Sequence, residues 1–330
     1  MLIRQLERAW YQPKKTLLTI ILLPLSWIFL ALVSLRRALY RCGFFKKMTL
    51  PVPVIVVGNI VVGGTGKTPF VIALCDWLQK NGFSPGIVTR GVGGKKKLQP
   101  MQVQLQTAAS EVGDEAVMLF RRTHCPVVVC VDRVAAGEYL LNHNKCNIIL
   151  SDDGLQHYRL NRQFEIALLD EQRKLGNGCM LPAGPLRESQ KRLNEVNLVL
   201  ENGKDIQLTG YSAVSLLEPQ QRQPIHFFSG KKVHALAGIG NPARFFAALR
   251  KNNVEIIEHI FPDHYLYRRE DIYFPDDLPV LMTEKDAVKC EAFADQRHWF
   301  IPVDIFLNST IDQKLANIFR LLTRATQISH

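Results

Sequence analysis

The sequence lacks any Cys-x-x-Cys pair, and its seven cysteines (Cys42, Cys75, Cys125, Cys130, Cys146, Cys179 and Cys290) are scattered and odd in number. A zinc site or a disulfide framework is therefore not expected; a reducing compartment with mostly buried thiols is. No internal repeat or low-complexity tract interrupts the chain. Acidic residues are the scarcer charge: 30 Asp and Glu against 41 Lys and Arg leave a formal net charge of +11. That bias implies an anionic partner, whether nucleic acid, an acidic membrane surface or a phosphorylated substrate. No nucleic-acid recognition motif accompanies the charge, and contact with anionic phospholipid accounts for it equally well, so no nucleic-acid partner is expected. An apolar fraction of 47% over 330 residues is ordinary for a globular chain, long enough to favour two domains over one.

The longest absence is of charge itself. Residues 16–35, "TLLTIILLPLSWIFLALVSL", carry none. As a helix this run would extend about 30 Å, roughly the hydrocarbon thickness of a bilayer. A signal peptide fits poorly, because the run is long and no small-x-small cleavage site precedes Arg36. A buried core helix rarely lacks a polar face so completely. An N-terminal membrane-associated helix within residues 1–40 is the expectation. Arg4, Arg8, Lys14 and Lys15 precede it, and Arg36, Arg37, Arg41, Lys46 and Lys47 follow. With both flanks positive, a spanning course and an in-plane course remain open; either brings the flanks to anionic headgroups, at about 1 kcal/mol per residue. Pro24 is expected to kink the helix.

After Pro51 short apolar runs alternate with helical stretches. Strands are expected at 54–57, 86–89, 126–131, 147–150, 164–169 and 198–200, and helices at 67–80, 115–122 and 134–142. This alternation predicts βαβ units and a mainly parallel sheet covered on both faces. Residues 202–231 turn polar and Gln-rich, which marks a division into a first α/β domain over 41–205 and a second, smaller one over 206–330. There the alternation resumes, with strands at 233–237, 254–260, 280–282 and 299–303 and helices at 242–251 and 311–323.

The stretch "VVGGTGKTP" (61–69) follows an apolar strand and opens a helix. A helix N-terminus offers unpaired N–H groups and a positive dipole end, which suit phosphate. Gly63, Gly64, Thr65 and Gly66 let the backbone wrap phosphates, Lys67 can reach the β and γ oxygens, and Thr68 can hold Mg²⁺. One glycine is missing: the general Gly-x-x-x-x-Gly-Lys-Ser/Thr pattern puts its first at position 61, where this chain has Val61. A guanine-reading Asn/Thr-Lys-x-Asp element is also missing, since "TEKD" at 283–286 has one residue misplaced. "IILSDDG" (148–154) ends a strand in Asp152 and Asp153, which places carboxylates at the edge where the phosphate loop opens. In "EVGDEA" Asp114 reads as an N-cap, and "FPDHYLY" sets His264 beside Asp263. "LPAGPLRES" holds Arg187 and Glu188, expected to be exposed, and Asn241 with Pro242 reads as a helix start.

Taken together, "GNIVVGGTGKTP", "TRG", "VGDEA", "DR" at 132–133, "SDDGLQH", "LLD", "LPAGPLRE", "AGIGNPARFF", "FPDH" and "MTEKDAVK" occur in an order that resembles the tetraacyldisaccharide 4'-kinase family over nearly the whole chain. That family's loop often lacks the first glycine, so Val61 matches it. The resemblance implies a P-loop-type α/β/α core with a second α/β domain, and an active site in the cleft between them. It implies transfer of the γ-phosphate of ATP, with Mg²⁺, to the 4'-hydroxyl of a membrane-embedded tetraacyldisaccharide 1-phosphate. The product would be lipid IVA, made at the cytoplasmic face of the inner membrane of a Gram-negative cell. By position it makes Lys67 and Thr68 the phosphate-loop lysine and the magnesium-binding threonine, and Asp152 and Asp153 the acidic pair at the metal. Asp114 becomes the catalytic base and His264 its partner; His157, Arg187 and Glu188 become further active-site residues. Ala116 departs from the proline often found there in the family, which loosens the helix start while leaving Asp114 in place.

Overall fold

The computed structural model describes residues 2–12, 14–210 and 212–328; the side chains of residues 2–4 and 321–328 are outside the description, and the basic flank at Arg4 with them. Two helices open the chain, α1 (Leu2–Trp10) and α2 (Leu17–Arg41). Then come β1 (Val54–Gly58), α3 (Lys67–Lys80), β2 (Pro85–Thr89), β3 (Met101–Gln102), α4 (Ala109–Val112), α5 (Asp114–Thr123), β4 (Val127–Val129) and α6 (Arg133–His143). They are followed by β5 (Ile148–Asp152), β6 (Phe164–Asp170), β7 (Leu198–Asn202) and β8 (Ile206–Thr209). The remainder comprises β9 (Ser212–Ser215), β10 (Arg222–Pro224), β11 (Lys232–Ala237), α7 (Pro242–Lys251), β12 (Glu255–Ile260) and α8 (Arg269–Ile272). β13 (Val280–Thr283), α9 (Glu284–Cys290), β14 (His298–Ile301), β15 (Asp304–Leu307) and α10 (Ser309–Ile328) end it.

The first sheet has the order β15-β8-β7-β6-β1-β5-β2-β4-β3. Its strands are parallel from β8 to β4, with one antiparallel strand at each edge. Val, Ile and Leu runs in β1, β2, β4 and β5 are buried throughout, as a sheet covered on both faces requires. Strand alternation sends Ile55 and Val57 to one face, against Phe70, Leu74 and Leu78 of α3 and Ile311, Leu315 and Phe319 of α10. Val54 and Val56 face the other way, onto Leu140 of α6, with Phe29 and Leu30 of α2 packed beside them. The second sheet, β10-β9-β14-β13-β11-β12, is parallel from β14 to β12 and antiparallel at β9 and β10.

Several short elements carry no periodic signal and lie outside the sequence expectation: β3, α4, β8, β9, β10 and β15. Two of them, β8 and the late β15, lie beyond residue 205 and join the first sheet. Their pairing is with each other and at an edge, where half-exposed mixed sequences suffice. A correction concerns Asp114. Gly113, at φ 90°, occupies the N-cap, and Asp114 is the first helical residue, its carboxylate accepting from the Glu115 N–H at 2.8 Å.

α2 has one buried stripe and one bare stripe. Thr19 and Ser26 are buried, and Phe29 and Leu30 are half-buried, at helical spacing on the side that meets the body. Leu17, Ile21, Leu25, Ile28, Leu32 and Leu35 form the opposite, exposed side. Midway along the helix, Ser26 Oγ donates to the Met180 carbonyl at 2.8 Å and accepts from the Ala183 N–H at 2.9 Å. Near the end of α2, Arg37 and Arg41 both pair with Glu195.

Candidate active site

The phosphate loop runs from the end of β1 to the start of α3. Gly63 (φ 111°) and Gly66 (φ 86°) take the left-handed conformations that only glycine adopts easily. Position 61 needs none. Val61 is buried and forms an antiparallel bridge with Leu186. Around it, the Val62 N–H donates to Pro185 O at 2.8 Å and the Arg187 N–H to Ile60 O at 2.7 Å. The Pro-rich 181–189 stretch thus holds the first half of the loop extended, the task a glycine turn performs in the general pattern. Asn59 Nδ2 reaches Gly63 O and Thr65 Oγ1, and Asn202 Nδ2 reaches Thr65 O, which tie the second half.

β5 delivers Asp152 and Asp153 beside this loop through the β1–β5 pairing, where Val57 sits opposite Asp152. The two carboxylates have opposite environments. Asp152 is fully buried; burial, together with Glu115 and Asp153, pushes its pKa up to about 7. Burial also acts on Asp153, but Lys67 and the Arg187 guanidinium outweigh it and hold that carboxyl far below its ordinary value. Arg187 grips both Asp153 oxygens, at 3.0 and 2.7 Å, and Lys67 Nζ stands 3.8 Å from Oδ1. Asp152 Oδ1 is buried with no hydrogen-bond partner. An orphaned carboxylate oxygen behind the phosphate loop is what a hard cation would satisfy, so the residues expected at the metal, Thr68, Asp152 and Asp153, fit Mg²⁺. Among the described residues no three His, Cys, Asp or Glu side chains converge on a point.

Gly63 through Thr68, Asp153, Arg187 and Glu115 line one wall of a cavity of ≈ 500 Å³. Gly240, Asn241, Arg244, Asp263, His264 and Lys285, from the second sheet's unit, line the other. His264, itself at φ 60°, accordingly faces the phosphate loop across the cleft. Its Nδ1 lies 3.0 and 3.1 Å from the two Asp114 oxygens. Asp114 is buried behind it, with Lys289 Nζ at 3.4 Å. Burial would raise the Asp114 pKa, but the hydrogen bond from His264 and the Lys285 and Lys289 charges outweigh it and lower it. The same hydrogen bond raises the imidazole above its usual value. Of the pair, His264 lines the cavity and Asp114 is buried behind it.

His157 and Glu188 lie outside the cavity lining. His157 Nε2 accepts from the Arg133 N–H at 3.4 Å; burial and then Arg133, Arg162, Arg36 and Arg90 depress it to about 4, so it is neutral. Glu188, expected exposed, is buried between Gln156 Nε2 at 2.9 Å and Arg192 at 3.2 Å. Residues that the sequence reading did not single out include Asn59, Glu115 and Lys285. Lys285 Nζ bridges Glu115 (3.1 Å), Asp263 (3.0 Å) and His264 Nε2 (3.4 Å), and so joins the two walls. "GNI" and "MTEKDAVK" contained Asn59 and Lys285; only their convergence in space identifies them.

A phosphate loop with an acidic strand end beside it, facing a His–Asp pair across an interdomain cleft, defines a phosphate-loop phosphotransferase. The particular family follows from comparison with known proteins. The family model described as "Tetraacyldisaccharide-1-P 4'-kinase" matches residues 18–320, and the chain belongs to that family. A tetraacyldisaccharide 4'-kinase of Methylobacillus flagellatus is 47% identical, over 97% of this chain and 98% of the relative. One from Nitrosococcus oceani is 46% identical, over 97% and 95%. Among solved structures, LpxK from Aquifex aeolicus in complex with ATP superposes with a TM-score of 0.80 at 28% identity, covering 93% of this chain and 99% of that one.

Proposed function

We propose that this protein transfers the γ-phosphate of ATP to the 4'-hydroxyl of tetraacyldisaccharide 1-phosphate, forming lipid IVA in lipid A biosynthesis, at the cytoplasmic face of the inner membrane of a Gram-negative cell. The observation that carries the reading is the shared cavity: the phosphate loop and His264 face it from opposite units. The named relatives and the ATP-bound structural neighbour support it.

The loop N–H groups and Lys67 cradle the phosphates, and Arg187 keeps Asp153 ionised and turned toward Lys67. Thr68 and the Asp152–Asp153 pair would hold Mg²⁺, which when bound would supply charge neutralisation on the transferring group. With Nδ1–H donating to Asp114, the His264 Nε2 lone pair accepts from Lys285 Nζ at 3.4 Å, a contact that the acceptor hydroxyl would replace. The 4'-hydroxyl proton passes to Nε2, and Asp114 stabilises the charge that develops on the ring. Base assistance of this kind is worth roughly 10²–10⁴-fold. The unit formed by residues 212–301 closes the cleft, and Lys285 is its contact with Glu115.

α2 is long and apolar enough to cross a membrane by length and composition. The Ser26 hydrogen bonds favour an in-plane course, because a spanning course would draw the backbone at Met180 and Ala183 into hydrocarbon, where unpaired peptide groups are costly. The exposed Leu and Ile stripe then enters one leaflet, and the basic flanks meet anionic headgroups. Purified protein assayed with ATP, Mg²⁺ and the disaccharide 1-phosphate in detergent should yield 4'-phosphorylated product. Folded protein that yields none would overturn the reading.

A further inference from the structure

The N-terminal segment does more than offer an apolar face. Tyr11, directly after α1, sends its Oη to the carbonyl of Val62 inside the phosphate loop, at 3.3 Å. Its ring is held from the other side by the Arg173 guanidinium, 5.1 Å from the centroid. The neighbouring Trp10 is buried and doubly fixed: its indole N–H donates to Pro182 O at 2.9 Å, and its carbonyl accepts from the Asn177 N–H at 2.7 Å. Thus α1 and Ser26 of α2 grip the same segment, residues 177–183, whose continuation at Pro185 and Leu186 bridges Val62 and Val61. The loop is flanked on one side by Tyr11 directly, and on the other by a segment whose opposite edge is bonded to the membrane-facing helix. No long-range field is needed: each link is a hydrogen bond with a named donor and acceptor.

We propose that Tyr11 is a positioning residue for the phosphate loop, through which docking of α1 and α2 on a lipid bilayer is read as tighter MgATP binding. The inference rests on the ATP reading above. Off the membrane, the bare Leu and Ile stripe of α2 has no apolar partner, and the helix is held by its opposite side alone, through Ser26, Phe29, Leu30 and the pairs of Arg37 and Arg41 with Glu195. On the membrane both helices are fixed, Tyr11 keeps its bond to Val62, and the loop carbonyl stays turned away from the phosphates. Because Tyr11 is not among the residues that line the cavity, its removal should act on nucleotide affinity and spare the chemical step.

The test uses the full chain, wild type and Tyr11→Phe, with and without vesicles of phosphatidylethanolamine and phosphatidylglycerol. The phenylalanine keeps the ring beneath the Arg173 guanidinium and deletes the hydroxyl, with its bonds to Val62 and to Arg173. One hydrogen bond corresponds to about a two- to tenfold change in binding. Wild-type protein should bind MgATP more tightly with vesicles than without. Tyr11→Phe should show KM for ATP raised by about two- to tenfold on vesicles, kcat within about twofold, wild-type recovery on vesicles and no vesicle effect on ATP binding. Equal ATP affinities for the two proteins on vesicles, or a wild-type affinity indifferent to vesicles, would overturn the coupling while leaving the kinase reading intact. Wild-type protein that binds no MgATP would overturn both.

Discussion

Restoring the missing glycine should damage this protein. Val61→Gly would bring the loop to the general phosphate-loop pattern, and a view based on pattern alone expects better nucleotide binding. The structure predicts the reverse for stability and nothing for affinity. Val61 is only 3% exposed, packs in the cluster with Ile60 and Leu186, and is bridged to Leu186. Deleting its isopropyl group forfeits about 1.5–3 kcal/mol of apolar burial. Glycine in an extended, bridged position costs a further ~0.5–1 kcal/mol in backbone entropy. The sum, about 2–4 kcal/mol, corresponds to a fall in Tm of roughly 3–10 °C for a unit of this size. Position 61 is absent from the left-handed residues, so no conformational strain is relieved in return. Differential scanning fluorimetry would read the Tm, and isothermal calorimetry the MgATP affinity, expected within about twofold of wild type. A variant with unchanged Tm, or with tighter ATP binding, would refute the argument that residues 185–187 replace the glycine.

Asp114→Asn and His264→Ala should each lower kcat by roughly 10²–10⁴-fold while leaving ATP affinity near wild type; a wild-type rate in either would remove that residue from the proton path. His264 is raised above its ordinary value by Asp114, so its protonated form declines as pH rises through that raised value and the rate should climb there. In Asp114→Asn the residual activity should show this acid limb displaced to lower pH, and an unmoved limb would break the link between the two. Asp152, pushed up to about 7, must lose its proton to hold a cation, so Mg²⁺ affinity should increase as pH rises through about 7 and lose that dependence in Asp152→Asn. Ser26→Ala leaves the buried Ala183 N–H unpaired, and chemical denaturation should show a loss of about 1–3 kcal/mol. Leu25→Ser, Ile28→Ser and Leu32→Ser combined should keep Tm but reduce vesicle recovery; retained recovery would mean that this stripe is not the lipid-facing one.

Much of the fold was legible because its main strands are buried on both faces and its helices have regular apolar spacing. β1, β5 and α3 fall where the Val and Ile runs and the Lys67–Lys80 periodicity put them. The edge strands β8 and β15 were not, since a strand that pairs with a distant segment at the sheet margin needs no strong pattern of its own. In the site, the placement of Lys67 and Thr68 at a helix start and of Asp152 at a strand end was readable from short motifs, because strand, loop and helix are consecutive in the chain. Lys285 and Asn59 were not, because their partners are distant in sequence: Lys285 meets Glu115, and Asn59 accepts from Arg187.

By itself the sequence determined the phosphate loop, the acidic strand end, the uncharged run of the N-terminal helix and the family to which these belong. Each depends on residues close in the chain, where backbone geometry limits the outcomes to a few. The tertiary structure alone decided which of Asp114 and His264 meets the cavity, that Glu188 is buried in an ion pair, and that α2 docks along the body through Ser26. It also decided why Val61 is tolerated: the extended course that a glycine turn would otherwise supply is imposed by Pro185, Leu186 and Arg187, more than a hundred residues downstream, and only folding brings that segment beside the loop.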